Sequence, residues 1–431
     1  NARPGSCSVI ERYFVALTAI QPGLQGGRPA IRWLTSWRLL VIISVVLCGL
    51  FEARELYKYY ATSDGQFDGT GQPIAPDYLN LWSAARLTLS GQVADLPDVT
   101  KFHQDEEALV GRPLRFLNWS YPPHLIPLIL GIGLLPFFWG YALWSIVTFA
   151  GYAVSILAGR DRKLTPFLIA LIAPSSYINF LMGQNGWLTA ALLIGGLRLL
   201  DRYPVWSGVL FGILTIKPHL GLLVPVALVA AGAWRAIASA IFTAGAMVAG
   251  SIALLGVQPW IAYFKTTAPV QRHILEVGQG SFTGMMPTPF MAARQLGLGI
   301  GAGYALNALT ALIAVALVFW CYRSRSLSGE LRIAIFATAI FFVSPYAFTY
   351  DLTVVTAALI GLLAFRSSER LLPGELLAIV AMWTVPILSL SSLVNVAPIP
   401  YGPIILAATL AYLVAHAKRA PSASEALGTA G

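Results

Sequence analysis

Charge is the scarcest commodity in this sequence. Only 11% of its 431 residues are Asp, Glu, Lys or Arg, against 57% hydrophobic, and that ratio excludes an ordinary soluble domain. Cysteine is nearly absent: Cys7, Cys48 and Cys321 show neither metal nor disulfide spacing, two lie in apolar segments, and they receive no role. Histidine is sparse too. His124, His219 and His273 are scattered, with no pair at zinc-ligand spacing, so no metal site is expected. The chain carries no Walker loop, dinucleotide fingerprint, nucleophile elbow or zinc-protease helix, which leaves soluble nucleotide chemistry unsupported. There is no tandem repeat, and the first thirty residues lack the compact apolar core of a signal peptide.

What is abundant is apolar length, and it makes the chain an all-α polytopic membrane protein. Twelve Trp and seventeen Tyr suit aromatic belts at two interfaces, and the many Gly and Pro suit broken or closely packed transmembrane helices. The formal net charge of +9 follows from Lys and Arg retained in cytoplasmic loops; a phosphate-bearing substrate is also compatible with it, and nothing points to nucleic acid. Arg28, Arg32 and Arg38 crowd the start of the first span and put the amino terminus in the cytoplasm. Apolar segments are expected at 38–57, 122–136, 138–158, 164–182, 186–200, 205–216, 219–234, 236–256, 302–322, 331–349, 352–366, 374–392 and 400–417, about twelve crossings with both ends inside. The basic clusters Arg160 to Lys163, Arg198 with Arg202, Arg235, Arg323 to Arg332, Arg366 to Arg370 and Lys418-Arg419 share the cytoplasmic side if 122–158 crosses only once. In that arrangement 122–136 is a half-helix bracketed by prolines. The alternative is that 205–234, broken at Lys217-Pro218, crosses once. The expected organisation is a cytoplasmic segment 1–37, a transmembrane domain 38–418 with large extracytoplasmic loops at 58–120 and 257–300, and a disordered tail 419–431.

The stretch Pro76 to Leu87 in the first loop predicts a short amphipathic helix. Pro76 suits its first position, and Asp77 in the first turn is favoured by the positive end of the helix dipole and should be ionised. Tyr78, Leu79, Trp82, Arg86 and Leu89 fall on one face, which reads as a membrane-interface surface; Asp77, Asn80 and Ser83 fall on the other. Asp77 is then either a base at the mouth of a membrane cavity or a cap on an interfacial helix. The acidic run Gln104-Asp105-Glu106-Glu107 reads as a solvated face. Lys217, between apolar runs and before Pro218 and His219, faces a polar cavity and binds phosphate, or forms a structural ion pair with Asp351. Gln184 and Asn185 between glycines can hydrogen-bond sugar hydroxyls or cap two helix ends. Tyr350-Asp351 lies at a junction of two apolar segments, as ligand or as cap. Arg272-His273 in the second loop can meet a lipid phosphate.

One carboxylate, one buried lysine and several amides in an apolar surround suit transfer of a glycosyl group from a lipid phosphate to an alcohol, since phosphate leaves without the protonated carboxyl that glycoside hydrolysis needs. Several short motifs together resemble the integral-membrane glycosyltransferases of the GT-C class, and within it family 87, which includes polyprenyl-phosphate-mannose-dependent mannosyltransferases. They are Asp77-Tyr78 through Arg86, Tyr121-Pro122-Pro123, Gly183-Gln184-Asn185, Ser207-Gly208 followed by Lys217-Pro218, and Ser344-Pro345 with Tyr350-Asp351. The resemblance implies a GT-C-like fold, a catalytic Asp carried onto Asp77, a polyprenyl-phosphate sugar as donor and no cofactor. It also implies an inverting single displacement on the extracytoplasmic face without nucleotide sugar and usually without metal. Some members carry a His pair where this chain has Tyr350-Asp351.

The expected site therefore has Asp77 as general base and Lys217, with His219 or Arg272, at the departing phosphate. Asn80, Tyr121, His124, Gln184, Asn185, Tyr350 and Asp351 are the expected substrate contacts. The partners are a lipid-linked donor, a lipid or glycan acceptor and the inner-membrane bilayer. A transporter or lipid flippase for a phosphate-bearing substrate is the competing class, because membrane-buried Lys and Asp also mark transport pathways; a surface-polysaccharide polymerase or ligase is the third.

Overall fold

The computed structural model describes residues 37–69, 71–160, 164–279, 281–324, 326–365, 375–390 and 399–419. The expected N-terminal segment and C-terminal tail fall outside these residues apart from Trp37 and Arg419, as do Asp161 to Lys163 and Arg366 to Arg370. Among the described residues the regular structure is helical, and the one extended pairing is an isolated bridge between Phe67 and Pro73 in the first loop.

The chain opens on α1 (Trp37–Tyr60). The first loop carries α2 (Pro76–Leu89) and α3 (Val99–Val110). Then come α4 (Ile126–Gly133), α5 (Phe137–Leu157), α6 (Leu164–Ile172), α7 (Pro174–Met182), α8 (Gly186–Leu199), α9 (Pro204–Ile213), α10 (Val224–Ala231) and α11 (Trp234–Leu255). The second loop is built of short pieces: α12 (Gln258–Ala262), a π-helical turn (Tyr263–Thr267), α13 (Ala268–Val277), α14 (Ser281–Gly284) and α15 (Pro289–Gln295). The chain closes with α16 (Gly299–Arg323), α17 (Gly329–Ala339), α18 (Thr353–Phe365), α19 (Glu375–Leu390) and α20 (Tyr401–Arg419).

Among the described residues three helices, Phe137–Leu157, Trp234–Leu255 and Gly299–Arg323, are long and apolar enough to cross a membrane. Several other expected segments arrive in pieces, and proline is the reason. Segment 164–182 divides before Pro174, and 205–234 divides around Lys217-Pro218 into α9, two 3-10 turns and α10. A proline lacks the N–H its helix needs and clashes with the preceding turn, so each piece restarts on it. Within 122–136 a 3-10 turn, Pro123–Leu125, leads into α4, whose eight residues rise about 12 Å against a hydrocarbon core of about 30 Å.

Helix α8 stands at the centre, packed on α5, α9 and α18. Its two ends differ in chemistry. Near its last turn Arg198 meets Glu330 at 2.7 Å, and Arg160, from the end of α5, meets the same carboxylate at 2.9 Å; Arg332 pairs with Asp201. Helices α9 and α11 run parallel: Val205 O accepts from Ser239, Gly208 abuts Ala236 and Ser239, and Gly212 abuts Ala240 and Thr243. Arg202 and Arg235, just before and at the start of these two helices, therefore sit at one end, with Arg160 and Arg198. The other end of α8 begins at Gly186, beside the polar groups described next.

Helix α2 corrects an expectation. Tyr78, Leu79 and Trp82 do not face lipid; they are buried in protein, with the Tyr78 ring 5.3 Å from both Phe137 and Tyr141 and Trp82 donating its indole N–H to Leu135 O at 3.0 Å. The opposite face is buried too, where Asn80 meets Glu106 of α3 at 3.4 Å. The face pattern was real, but α4 and α5, supplied by residues far along the chain, cover it. Of the five residues assigned to the interface, Leu89 alone is exposed, and Arg86, half-buried, lies over the Trp82 ring. The acidic run is likewise not a solvated face: Glu106 is fully buried, which pushes its pKa up to about 8, Asp105 pairs with Lys101, and Glu107 accepts from the Leu114 N–H.

Candidate active site

Asp77 occupies the first turn of α2, directly after Pro76 at the helix start and Ala75 in the left-handed region (φ 49°). Protein surrounds it, yet it keeps part of its surface accessible. Burial pushes its pKa up to about 6, opposed by a hydrogen bond from the Gln184 side chain and by the nearby Lys217 charge. Desolvation thus outweighs the helix dipole, and the group is still ionised at neutral pH. Among the described residues no ion pair holds it.

The turn between α7 and α8 brings Gln184 to it, and the two flanking glycines explain how. Gly183 adopts φ +68°, and a Cβ there would strike the Tyr78 Cβ and come within 2.8 Å of Ala75 Cβ. The turn lies hard against the start of α2. Gly186 does the same on the other side: a Cβ would strike Tyr350 O and come within 2.6 Å of Asn179 Oδ1. Between them the Gln184 Oε1 accepts from the Tyr121 hydroxyl and from the Asn185 backbone N–H, both at 3.2 Å.

Lys217 sits where 3-10 turns replace helix around Pro218, so its side chain enters the bundle between α9 and α10. Its Nζ donates to Asp351 Oδ1 at 2.6 Å and to Asn185 Oδ1 at 3.0 Å, 4.7 Å from the Tyr350 ring centre. The Asp351 Oδ2 accepts from the Phe348 N–H at 3.0 Å. Lysine, aspartate and asparagine are all buried. An isolated buried ammonium is costly, and this pairing offsets part of that cost. The ion-pair reading of Lys217 is therefore realised in this structure. An ammonium has three N–H donors, and these two bonds use two of them.

Of the residues singled out in the sequence, Asp77, Tyr121, Gln184, Asn185, Lys217, Tyr350 and Asp351 converge here, with His219 beside Lys217 and edge-on to Tyr346 at 5.6 Å. Others do not join them. Asn80 turns to Glu106. His124 shares a hydrogen bond with Thr215 at 3.1 Å and stacks on Trp260. Arg272 is exposed and paired with Glu276 at 2.8 Å, next to Gln271, which accepts from Tyr346. Sequence reasoning passed over Tyr346, which donates to Gln271 at 2.6 Å and packs on Phe348, itself stacked on Tyr350. The cluster of aromatic residues Tyr346, Phe348 and Tyr350 beside Asp351 was the available signal.

A family model described as glycosyltransferase family 87 matches residues 119–345, more than half of the chain. The matched stretch takes in Tyr121, Gln184, Asn185 and Lys217; Asp77 precedes it and Asp351 follows it. Searches of curated proteins and of solved structures each returned no match. A glycosyltransferase family sets the transporter reading aside: this is an enzyme. With apolar helices long enough to span a bilayer and a match over most of its central region, the chain belongs to glycosyltransferase family 87 and is a membrane glycosyltransferase.

Proposed function

We propose that this enzyme moves a hexosyl group, mannosyl by the family resemblance, from a polyprenyl-phosphate sugar to a hydroxyl of a lipid or glycan acceptor. Asp77 takes the acceptor proton as the oxygen attacks the anomeric carbon. The new C–O bond forms while the bond to the phosphate oxygen breaks, the phosphate leaves with the electron pair, and the configuration inverts. The observation that carries this reading is Asp77 itself, an accessible carboxylate without an ion pair, whose pKa of about 6 suits a general base near neutral pH. Lys217 offers its remaining N–H to the departing phosphate, and Asn185 and Asp351 hold the ammonium in place for it. Charge supports the sidedness in this reading: Arg160, Arg198, Arg202, Arg235 and Arg332 gather at the end of the bundle opposite Asp77, and Arg-rich ends stay in the cytoplasm. The proposed location of Asp77 is accordingly the extracytoplasmic side of the cell membrane.

The test is transfer by purified protein given a panel of radiolabelled polyprenyl-phosphate sugars and a membrane lipid extract. Label from one donor should move into a new product, and Asp77→Asn should lower that rate by about 10²- to 10⁴-fold, the usual worth of a general base, while inserting and folding normally. Near-normal turnover by the variant removes Asp77 from the mechanism. Transfer only from a nucleotide sugar overturns the donor.

A further inference from the structure

Helix α3 stands on two residues. Of its twelve, Phe102 and Glu106 are the buried ones, four apart and so on one face. Phe102 packs edge-on to Trp119, with ring centres 6.5 Å apart, an apolar contact that needs no comment. Glu106 is different. Its side chain is wholly inaccessible; Oε2 has no hydrogen-bond partner among the described residues, and Oε1 accepts from the Asn80 side chain of α2 at 3.4 Å. Hydrogen bonds to an ionised group shorten toward about 2.8 Å, and this one is not shortened. Among the described residues no cation pairs with Glu106. Lys101 is held by Asp105 and Arg112 by Asp64, the His103 ring lies 3.5 Å from Glu107, and Arg86 of α2 lies over Trp82. Arg115, in the stretch after α3, is exposed. The other ionisable group of α2, Asp77, is one turn before Asn80 and carries the same sign. A charge on Glu106 would thus be buried without compensation, and a carboxyl in that position keeps its proton instead.

We propose that Glu106 is a positioning residue kept as the neutral acid: protonated, it seats α3 against α2 one turn after Asp77, and loss of that proton to water at alkaline pH forces it out and frees the helix that carries the base. The effect on the reaction rests on the reading of Asp77 as the base; the seating of α3 does not. Burial pushes the Glu106 pKa up to about 8, with the Asn80 contact opposing the rise, so release begins just above neutral pH. The acid limb that Asp77 gives the reaction is then joined by an alkaline limb of separate origin. Stability follows the same group. A carboxyl whose folded pKa lies above its ordinary value of 4.5 contributes in full below that value, and the contribution is lost as pH rises through 8.

The experiment measures kcat/KM and melting temperature from pH 5 to 9.5 for the full-length enzyme, Glu106→Gln and Glu106→Ala. In the parent, kcat/KM should fall about tenfold per unit above pH 8. Glutamine keeps the shape and cannot ionise. Glu106→Gln should match the parent within about threefold at pH 7, the worth of one altered hydrogen bond, and should keep the acid limb while losing the alkaline one. Its melting temperature relative to the parent should rise between pH 6 and pH 9. Glu106→Ala leaves the seat empty at every pH, and kcat should fall by about 10- to 100-fold across the range as α2 shifts; if that variant does not fold, the Glu106→Gln profile still decides. An alkaline limb that survives unchanged in Glu106→Gln belongs to another group, and a constant melting difference means that Glu106 holds no abnormal proton. Either result overturns the proposal, as does full activity in Glu106→Ala. Failure of the underlying reading looks different: Asp77→Asn then stays active, while the melting difference of Glu106→Gln still rises with pH.

Discussion

At Asp77 two influences of opposite sign meet. Its place in the first turn of a helix and the Gln184 amide favour the anion; burial disfavours it and prevails, leaving the pKa near 6. Transfer measured between pH 4.5 and 8 should therefore lose kcat/KM about tenfold per unit below pH 6, since the protonated acid cannot accept a proton. The same shift bears on stability. A carboxyl whose folded pKa lies above its unfolded value binds a proton more tightly in the folded state, so its contribution is present below about pH 4 and is lost as pH rises through 6. Asp77→Asn removes that dependence, and the melting temperature of the variant relative to the parent should rise between pH 4 and pH 7; a constant difference would contradict the shifted pKa. The residue was legible from Pro76-Asp77 after an apolar span. The direction of its pKa was not, because the protein that buries it comes from residues far downstream, the Gly183-Gln184 turn among them.

At the scale of elements, the turn between α7 and α8 assembles the site. Local sequence identified Gly183 to Gly186 as a tight turn between two helices, which it is. What each glycine touches was beyond reach, because Tyr78 lies about a hundred residues before the turn and Tyr350 more than a hundred and sixty after it. Gly183→Ala should be costly twice over, in backbone strain and in collision with Tyr78. Gly91→Ala is the control: Gly91 also has a positive φ, +81°, but open space around it. Alanine at such a backbone conformation destabilises by more than about 1 kcal/mol in either case, while only Gly183→Ala should also separate Gln184 from Asp77 and abolish transfer. Melting curves beside activity distinguish the two effects, and equal activity loss in both variants would count against the close approach. Helix α2 carries the complementary lesson. Its apolar face was read correctly and its partner wrongly, since amphipathicity states that a face is covered without saying whether lipid or protein covers it.

For the whole molecule, the segregation of charge is the basis of the proposed orientation. Arg160, just after α5, and Arg198 of α8 converge on Glu330 of α17, and Gly361 of α18 lets its helix pass close to that cluster, while the same α18 begins just after Asp351, which pairs with Lys217. One helix thus runs from the basic end to the candidate site. Sequence alone suggested this partition, because the clusters could be assigned to one side only if 122–158 made a single crossing, with 122–136 as the half-helix. The count of crossings was less accessible, since proline breaks convert apolar runs into helices that hydropathy cannot separate from full spans. Orientation is open to a direct measurement. In a background with the native cysteines replaced, Ser90→Cys reports the first loop and Ser326→Cys the basic end; both positions are exposed. A membrane-impermeant maleimide applied to intact spheroplasts should label Ser90→Cys at once and Ser326→Cys only after the membrane is opened. The reverse pattern would place Asp77 toward the cytoplasm. There a lipid-phosphate sugar would meet it before crossing the bilayer, and the arginine cluster would have to be held outside against the retention that keeps such residues in.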